Sequence, residues 1–103
     1  MVTPERKVKS RVTKLLTERG AYWFYPVASG YGSAGIPDIV CCYHGQFIGI
    51  ECKAGKGTTT ALQENNLSRI KACGGHAIVV REDMTELIAL LKLIEETHGI
   101  VTM

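Results

Sequence analysis

Apolar residues recur at helical spacing near the N-terminus, where Val8, Val12, Leu15 and Leu16 share one face. Thr3 fits an N-cap and Pro4 the first helical position, and Gly20 ends the run. Ala21 to Val27 (AYWFYPV) is dense in aromatic and branched residues and predicts a strand, with Pro26 marking an edge position or the strand end. Asp38 to Tyr43 (DIVCCY) predicts a second strand and Gln46 to Lys53 (QFIGIECK) a third. His44-Gly45 between them is a turn signal, so the two form a hairpin. Ala61 to Cys73 predicts a helix stopped by Gly74-Gly75, and His76 to Val80 (HAIVV) a buried strand. Asp83 to Thr97 predicts the last helix, with Asp83 and Glu86 as a capping box and Gly99 past its end.

The order is helix, three strands, helix, strand, helix. The strand–helix–strand stretch after the hairpin is a parallel crossover unit. The expected fold is therefore α/β, a mixed central sheet with helices on both faces. A chain of 103 residues suits one domain, residues 1–103, and is too short for two.

Composition changes this picture little. Hydrophobic residues make up 46% and charged residues 21%, which is ordinary for a globular chain. No stretch reaches the roughly 18 apolar residues in a row that a membrane span needs. The charged N-terminus does not read as a signal peptide, so a cytoplasmic protein of a bacterial or phage-infected cell is expected, with no membrane partner. Cys41, Cys42, Cys52 and Cys73 form no C-x-x-C pair and read as small apolar core residues in a reducing compartment. Adjacent Cys41 and Cys42 point to opposite faces of their strand. His44, His76 and His98 are scattered and carry no catalytic assignment.

Charge is uneven. Residues 1–20 hold Arg6, Lys7, Lys9, Arg11, Lys14 and Arg19 against Glu5 and Glu18, whereas residues 81–103 are acidic. A basic first helix suits a polyanion such as nucleic acid. On charge alone a solvated helix face is the favoured reading.

Candidate chemistry sits on the hairpin. Along the third strand Ile48, Ile50 and Cys52 point one way, and Phe47, Gly49, Glu51 and Lys53 the other. Glu51 and Lys53 emerge together at the strand end, with Gly49 leaving room beneath. Asp38 starts the antiparallel neighbour and so falls beside Glu51. Two carboxylates and an ammonium at one strand end suit phosphoryl chemistry. Hard oxygens bind Mg²⁺, and such an ion lowers the pKa of a water and offsets charge on a phosphate. Lys53 can orient the water or balance the transition state. The Cys52 carbonyl is a further candidate ligand. Taken singly, Pro-Asp is a common turn start and Glu-x-Lys a common surface ion pair. Both carboxylates lie on otherwise apolar strands, however, where an uncompensated charge costs several kcal/mol. Glu5 shares the apolar stripe of the first helix and must face something polar. Thr60-Ala61-Leu62-Gln63 fits a capping box, yet Gln63 shares a face with Leu67 and Ile70, so capping and a site role are both open. Lys56 and the Thr58 to Thr60 run flank the site as candidate backbone contacts. Lys9 and Arg11 are candidate phosphate contacts. Ser29, in the glycine-rich loop with Gly30, Gly32 and Gly35, is a further nucleic-acid candidate. Tyr22, Trp23, Phe24 and Tyr25 read as core or dimer packing.

Gly35-Ile36-Pro37-Asp38, then Ile50-Glu51-Cys52-Lys53, then Gln63 at a helix start, together resemble the PD-(D/E)xK nucleases, and most closely their virus-type replication-repair (VRR-NUC) branch. The resemblance runs from about Glu5 to about Val80. It implies a restriction-endonuclease-like core, metal ligation by Asp38 and Glu51, and a catalytic role for Lys53. It matches Glu5 to a carboxylate that many members carry on the first helix, and Gln63 to a glutamine typical of the branch. Small stand-alone members resemble Holliday-junction resolvases, which work as symmetric homodimers on branched DNA.

The expected function is a Mg²⁺- or Mn²⁺-dependent endodeoxyribonuclease, structure-selective on branched DNA, with no organic cofactor and a homodimeric state. The aromatic strand and the last helix are the expected interface. A non-catalytic DNA-binding module of the same fold and a nuclease acting on RNA are the alternatives.

Overall fold

A computed structural model of the chain describes residues 2–27 and 35–101, with the side chains of the last helix described as far as His98. The elements are α1 (Pro4–Glu18), β1 (Tyr22–Phe24), β2 (Ile39–Tyr43), β3 (Gln46–Cys52), α2 (Ala61–Ala72), β4 (His76–Val80) and α3 (Thr85–Val101). Their order is the one the hydrophobic pattern predicts. Thr3 caps α1 by accepting the Arg6 amide at 3.2 Å, and Pro4 occupies the first turn, where a missing N–H costs nothing.

The sheet has strand order β1-β2-β3-β4. β1 and β2, and β2 and β3, run antiparallel, while β3 and β4 run parallel across α2. His44 (φ 49°) and Gly45 (φ 78°) both take positive φ between β2 and β3. A two-residue turn with both central residues at positive φ matches the twist of its strands and locks their register. Here that register pairs Ile39 with Ile50 and Cys41 with Ile48.

One sheet face carries the core. Ile39, Cys41, Ile48, Ile50, Cys52 and Val80 pack against Val8, Val12 and Leu16 of α1 and Leu87, Leu91 and Ile94 of α3, all buried. Helix α2 covers the other face. A Cβ on Gly49 would lie 2.6 Å from Cδ1 of Ile70 and 3.1 Å from Cγ of Pro37, so the room beneath Glu51 is filled by α2 and by the Pro37 ring. Gly35 (φ 86°) presses on the start of α2, where a Cβ would sit 2.6 Å from the Leu62 carbonyl carbon. Only glycine meets both demands.

Several expectations are corrected. The first strand spans three residues rather than Ala21 to Val27 and stops short of Pro26, which has no N–H for a ladder. Helix α3 starts at Thr85 and runs through Gly99 to Val101. Asp83 holds its start by accepting from the amide (2.9 Å) and hydroxyl (2.6 Å) of Thr85. The thiols divide two and two. Cys41 and Cys52 are buried in the core, and burial pushes both up to about 12, whereas Cys42 and Cys73 are exposed. Helix α2 is too short to cover the whole second face, so Cys42 stands in the open with its register partners Tyr22 and Phe47 and with Phe24, which pairs with Val40 on the same face. Trp23, on the opposite side of β1, is half-buried and donates to Thr17 at 2.8 Å. Among the described residues no helix is long and apolar enough to cross a membrane.

Candidate active site

The turn at His44-Gly45 decides what meets at the far end of the hairpin. Because Ile39 pairs with Ile50, the preceding Asp38 falls at the level of Glu51 and Cys52. Oδ2 of Asp38 accepts the Cys52 amide at 2.8 Å, which ties the carboxylate to the end of β3. The Cys52 side chain points into the core on the opposite face, so only its backbone serves the site. Lys53 follows directly, and its amide donates to the Val80 carbonyl at 3.0 Å, continuing the parallel ladder.

Glu51 is only 1% exposed. Gln63 donates from Nε2 to its Oε1 at 3.1 Å, and Oε2 has no hydrogen-bond partner. Burial pushes Glu51 up to about 8, and the neighbouring Asp38 carboxyl adds to the rise. The Lys53 ammonium pulls the other way, and Glu5 adds a smaller upward push from α1. Gln63 also completes a capping box: its Oε1 accepts the Thr60 amide at 2.9 Å and its amide donates to Oγ1 of Thr60 at 3.1 Å. Gln63 therefore caps its own helix and touches Glu51 at the same time.

Helix α1 forms the other wall. Glu5 and Lys9 lie one turn apart and line a 570 Å³ cleft with Arg6, Tyr25, Pro37 and Asp38. Lys9 Nζ is 3.6 Å from Oδ1 of Asp38. The structure thus gathers Glu5, Lys9, Asp38, Glu51, Lys53 and Gln63 from four elements.

Other candidates lie apart. Arg11 donates to the Glu82 carbonyl at 3.1 Å, tying α1 to the turn before α3. Lys56 and Thr60 are exposed on the loop after Lys53. Ser29, Gly30 and Gly32 lie outside the described residues. The sequence reading missed Arg6 and Tyr25, which share the cleft; the direct sequence to Glu5 was the available signal for Arg6. It also missed a clasp on the loop after Lys53. Arg81 donates from Nη1 to the carbonyls of Gly55 (3.1 Å) and Gly57 (2.7 Å), and the Glu82 carboxylate accepts the Gly55 amide at 2.9 and 3.2 Å. Two charged residues just past an apolar strand were the only hint.

The donor set suits a hard divalent cation. Glu51 Oε2 is a buried oxygen without a partner, Asp38 Oδ1 faces the cleft, and both are carboxylate oxygens. Among the described residues no three His, Cys, Asp or Glu side chains group to hold a metal. Mg²⁺ binds through one or two carboxylates and keeps several waters, so two suffice. Such a set favours oxygen-preferring ions over zinc.

A model of the archaeal Holliday junction resolvase family, Hjc, matches residues 4–100. No curated protein matches the chain.

Proposed function

The chain belongs to the archaeal Holliday junction resolvase family, nucleases that act on four-way branched DNA, and from that premise we propose that Asp38, Glu51 and Lys53 form the centre that cuts the phosphodiester. The observation that carries this reading is Glu51 itself. A carboxylate 1% exposed, with one oxygen lacking a partner and Asp38 alongside, is costly to the fold in its charged form unless a cation comes to it, and without one it holds a proton. Asp38 and Glu51 would hold Mg²⁺ or Mn²⁺, with the Cys52 carbonyl as a further oxygen donor. When bound, such an ion lowers the pKa of a water and offsets charge on the phosphate.

The chain's own residues supply the rest. Lys53, at the exit of β3, orients the attacking water and balances the charge that builds on the oxygens of the pentavalent transition state. Gln63 holds Glu51 in place from α2, and Glu5 closes the site from α1. Arg6, Lys56 and Thr60, Arg11 further out, and Ser29 by its place in the sequence are the proposed contacts to the DNA backbone. The finer placement in the virus-type replication-repair branch rests on the Gly-Ile-Pro-Asp run and on Gln63, and the Gln63–Glu51 hydrogen bond supports it. The proposed assembly is a homodimer. Tyr22, Phe24, Cys42 and Phe47 form an exposed apolar face beside α2, and a two-fold pairing through that face buries it on both copies.

Cleavage of labelled duplex, single strand, flap and four-way junction, with Mg²⁺ or Mn²⁺ and with EDTA, tests the proposal. The wild type cuts the junction in a metal-dependent manner, and Asp38→Asn and Lys53→Ala lose the activity by about 10²-fold or more while still binding the junction. Junction binding without cutting in either metal would make the chain a binding module. Faster cutting of a matched RNA junction would make RNA the substrate.

A further inference from the structure

A lysine from another element stands beside Oδ1 of Asp38. Oδ2 of Asp38 is taken by the Cys52 amide, which leaves Oδ1 as the oxygen that faces the cleft. Lys9 Nζ lies 3.6 Å from it. We propose that Lys9 is the resting occupant of the cation position at Asp38, and that it must leave when a divalent ion arrives.

The inference rests on the reading of Asp38 as a metal ligand and adds a competitor to it. A divalent ion on Oδ1 would stand about 2.0–2.1 Å from that oxygen. An ammonium held 3.6 Å from the same oxygen would then face the ion across a few ångströms. Two cations at that range repel strongly in a partly buried site. The lysine stem has room to withdraw. The Lys9 side chain is 30% exposed and lines the cleft beside Arg6 and Tyr25. In the open cleft its ammonium is free to meet a phosphate of the substrate backbone. A single ion pair at 3.6 Å between side chains partly open to the cleft has little effect on stability. Its consequence is instead for metal uptake: the unliganded site carries its own counter-ion, so a free divalent ion binds it weakly.

Mn²⁺ binding to the DNA-free protein, followed by electron paramagnetic resonance of the unbound ion, tests this without any cleavage assay. Lys9→Met keeps the stem and removes the charge, Lys9→Gln is a second neutral variant, and Lys9→Arg keeps the charge. The proposal expects both neutral variants to bind Mn²⁺ about tenfold more tightly than wild type, and Lys9→Arg to bind within about twofold of it. Equal or weaker binding by the neutral variants, with helix content intact by circular dichroism, overturns it. Asp38→Asn separates the two layers of the argument. If the wild type binds Mn²⁺ no better than Asp38→Asn, the metal reading fails and the proposal falls with it. If Asp38→Asn abolishes binding but the neutral Lys9 variants change nothing, the metal reading stands and only the role of Lys9 is lost.

Discussion

Gln63 touches Glu51 with one end of its amide and its own helix cap with the other. Nε2 donates to Oε1 of Glu51 at 3.1 Å, while Oε1 accepts the Thr60 amide at 2.9 Å. The start of α2 and the buried carboxylate of β3 are thereby joined through one side chain.

Glutamate at this position separates the two jobs. Gln63→Glu keeps an acceptor for Thr60, as capping boxes allow, but replaces the donor to Glu51 with a like charge. Junction cleavage by Gln63→Glu is expected to fall by about 10- to 100-fold, and thermal melts should show the cap retained. Gln63→Ala loses both contacts and costs a further ~1 kcal/mol of stability. Wild-type cleavage by Gln63→Glu would leave the residue with capping alone.

Glu51 makes the metal-free protein sensitive to pH. Its folded pKa, about 8, lies above the ordinary carboxylate value of 4.5. Between those values the folded state holds a proton that the unfolded chain has released, so stability falls as pH rises through that window. In EDTA, Tm should drop steadily from pH 5 to pH 8, and Glu51→Gln should flatten the slope. Added Mg²⁺ favours the ionised form and should also flatten it. A slope unchanged in Glu51→Gln would assign the effect to another group.

Gly49→Ala places a methyl 2.6 Å from Cδ1 of Ile70 and 3.1 Å from the Pro37 ring. The end of the Ile70 side chain can move aside, but the ring beside Asp38 has little freedom. Urea unfolding should show a loss of about 1–3 kcal/mol. The double variant Gly49→Ala with Ile70→Val should recover part of that loss, and a full additive loss would show that the contact with Pro37 dominates.

The exposed face beside α2 offers a test of assembly. Phe24→Glu puts a charge among Tyr22, Cys42 and Phe47, on a surface that is open in the single chain. Sedimentation should show a dimer for wild type and a monomer for the variant, with the fold intact by circular dichroism. A wild type that cleaves junctions fully as a strict monomer rules the dimer out.

The central part of the site was legible because local rules determine it. A two-residue turn fixes the register of β2 on β3, and strand alternation then brings Asp38 to Glu51. The approach of Lys9 to Asp38 was not legible. It depends on the rotation of α1 against the sheet, which side-chain packing sets and no short spacing encodes. The thiols mark the same boundary. Alternation correctly sends Cys41 and Cys42 to opposite faces, but whether a face is covered depends on how far α2 reaches. Cys42 stands exposed for that reason, and Cys73 because it is the C-cap at the end of α2. Arg81 and Glu82 read as ordinary charged residues after a strand until the loop they hold is seen.

That loop, between Lys53 and Thr60, contains two closely spaced glycines, Gly55 and Gly57. Left alone, such a segment would sample many conformations, and ordering it on the DNA would weaken binding by the entropy lost. Arg81 and Glu82 instead fasten its backbone at Gly55 and Gly57. Its freedom is therefore surrendered when the chain folds, and the proposed contacts Lys53 and Lys56 stand on a backbone that is already ordered.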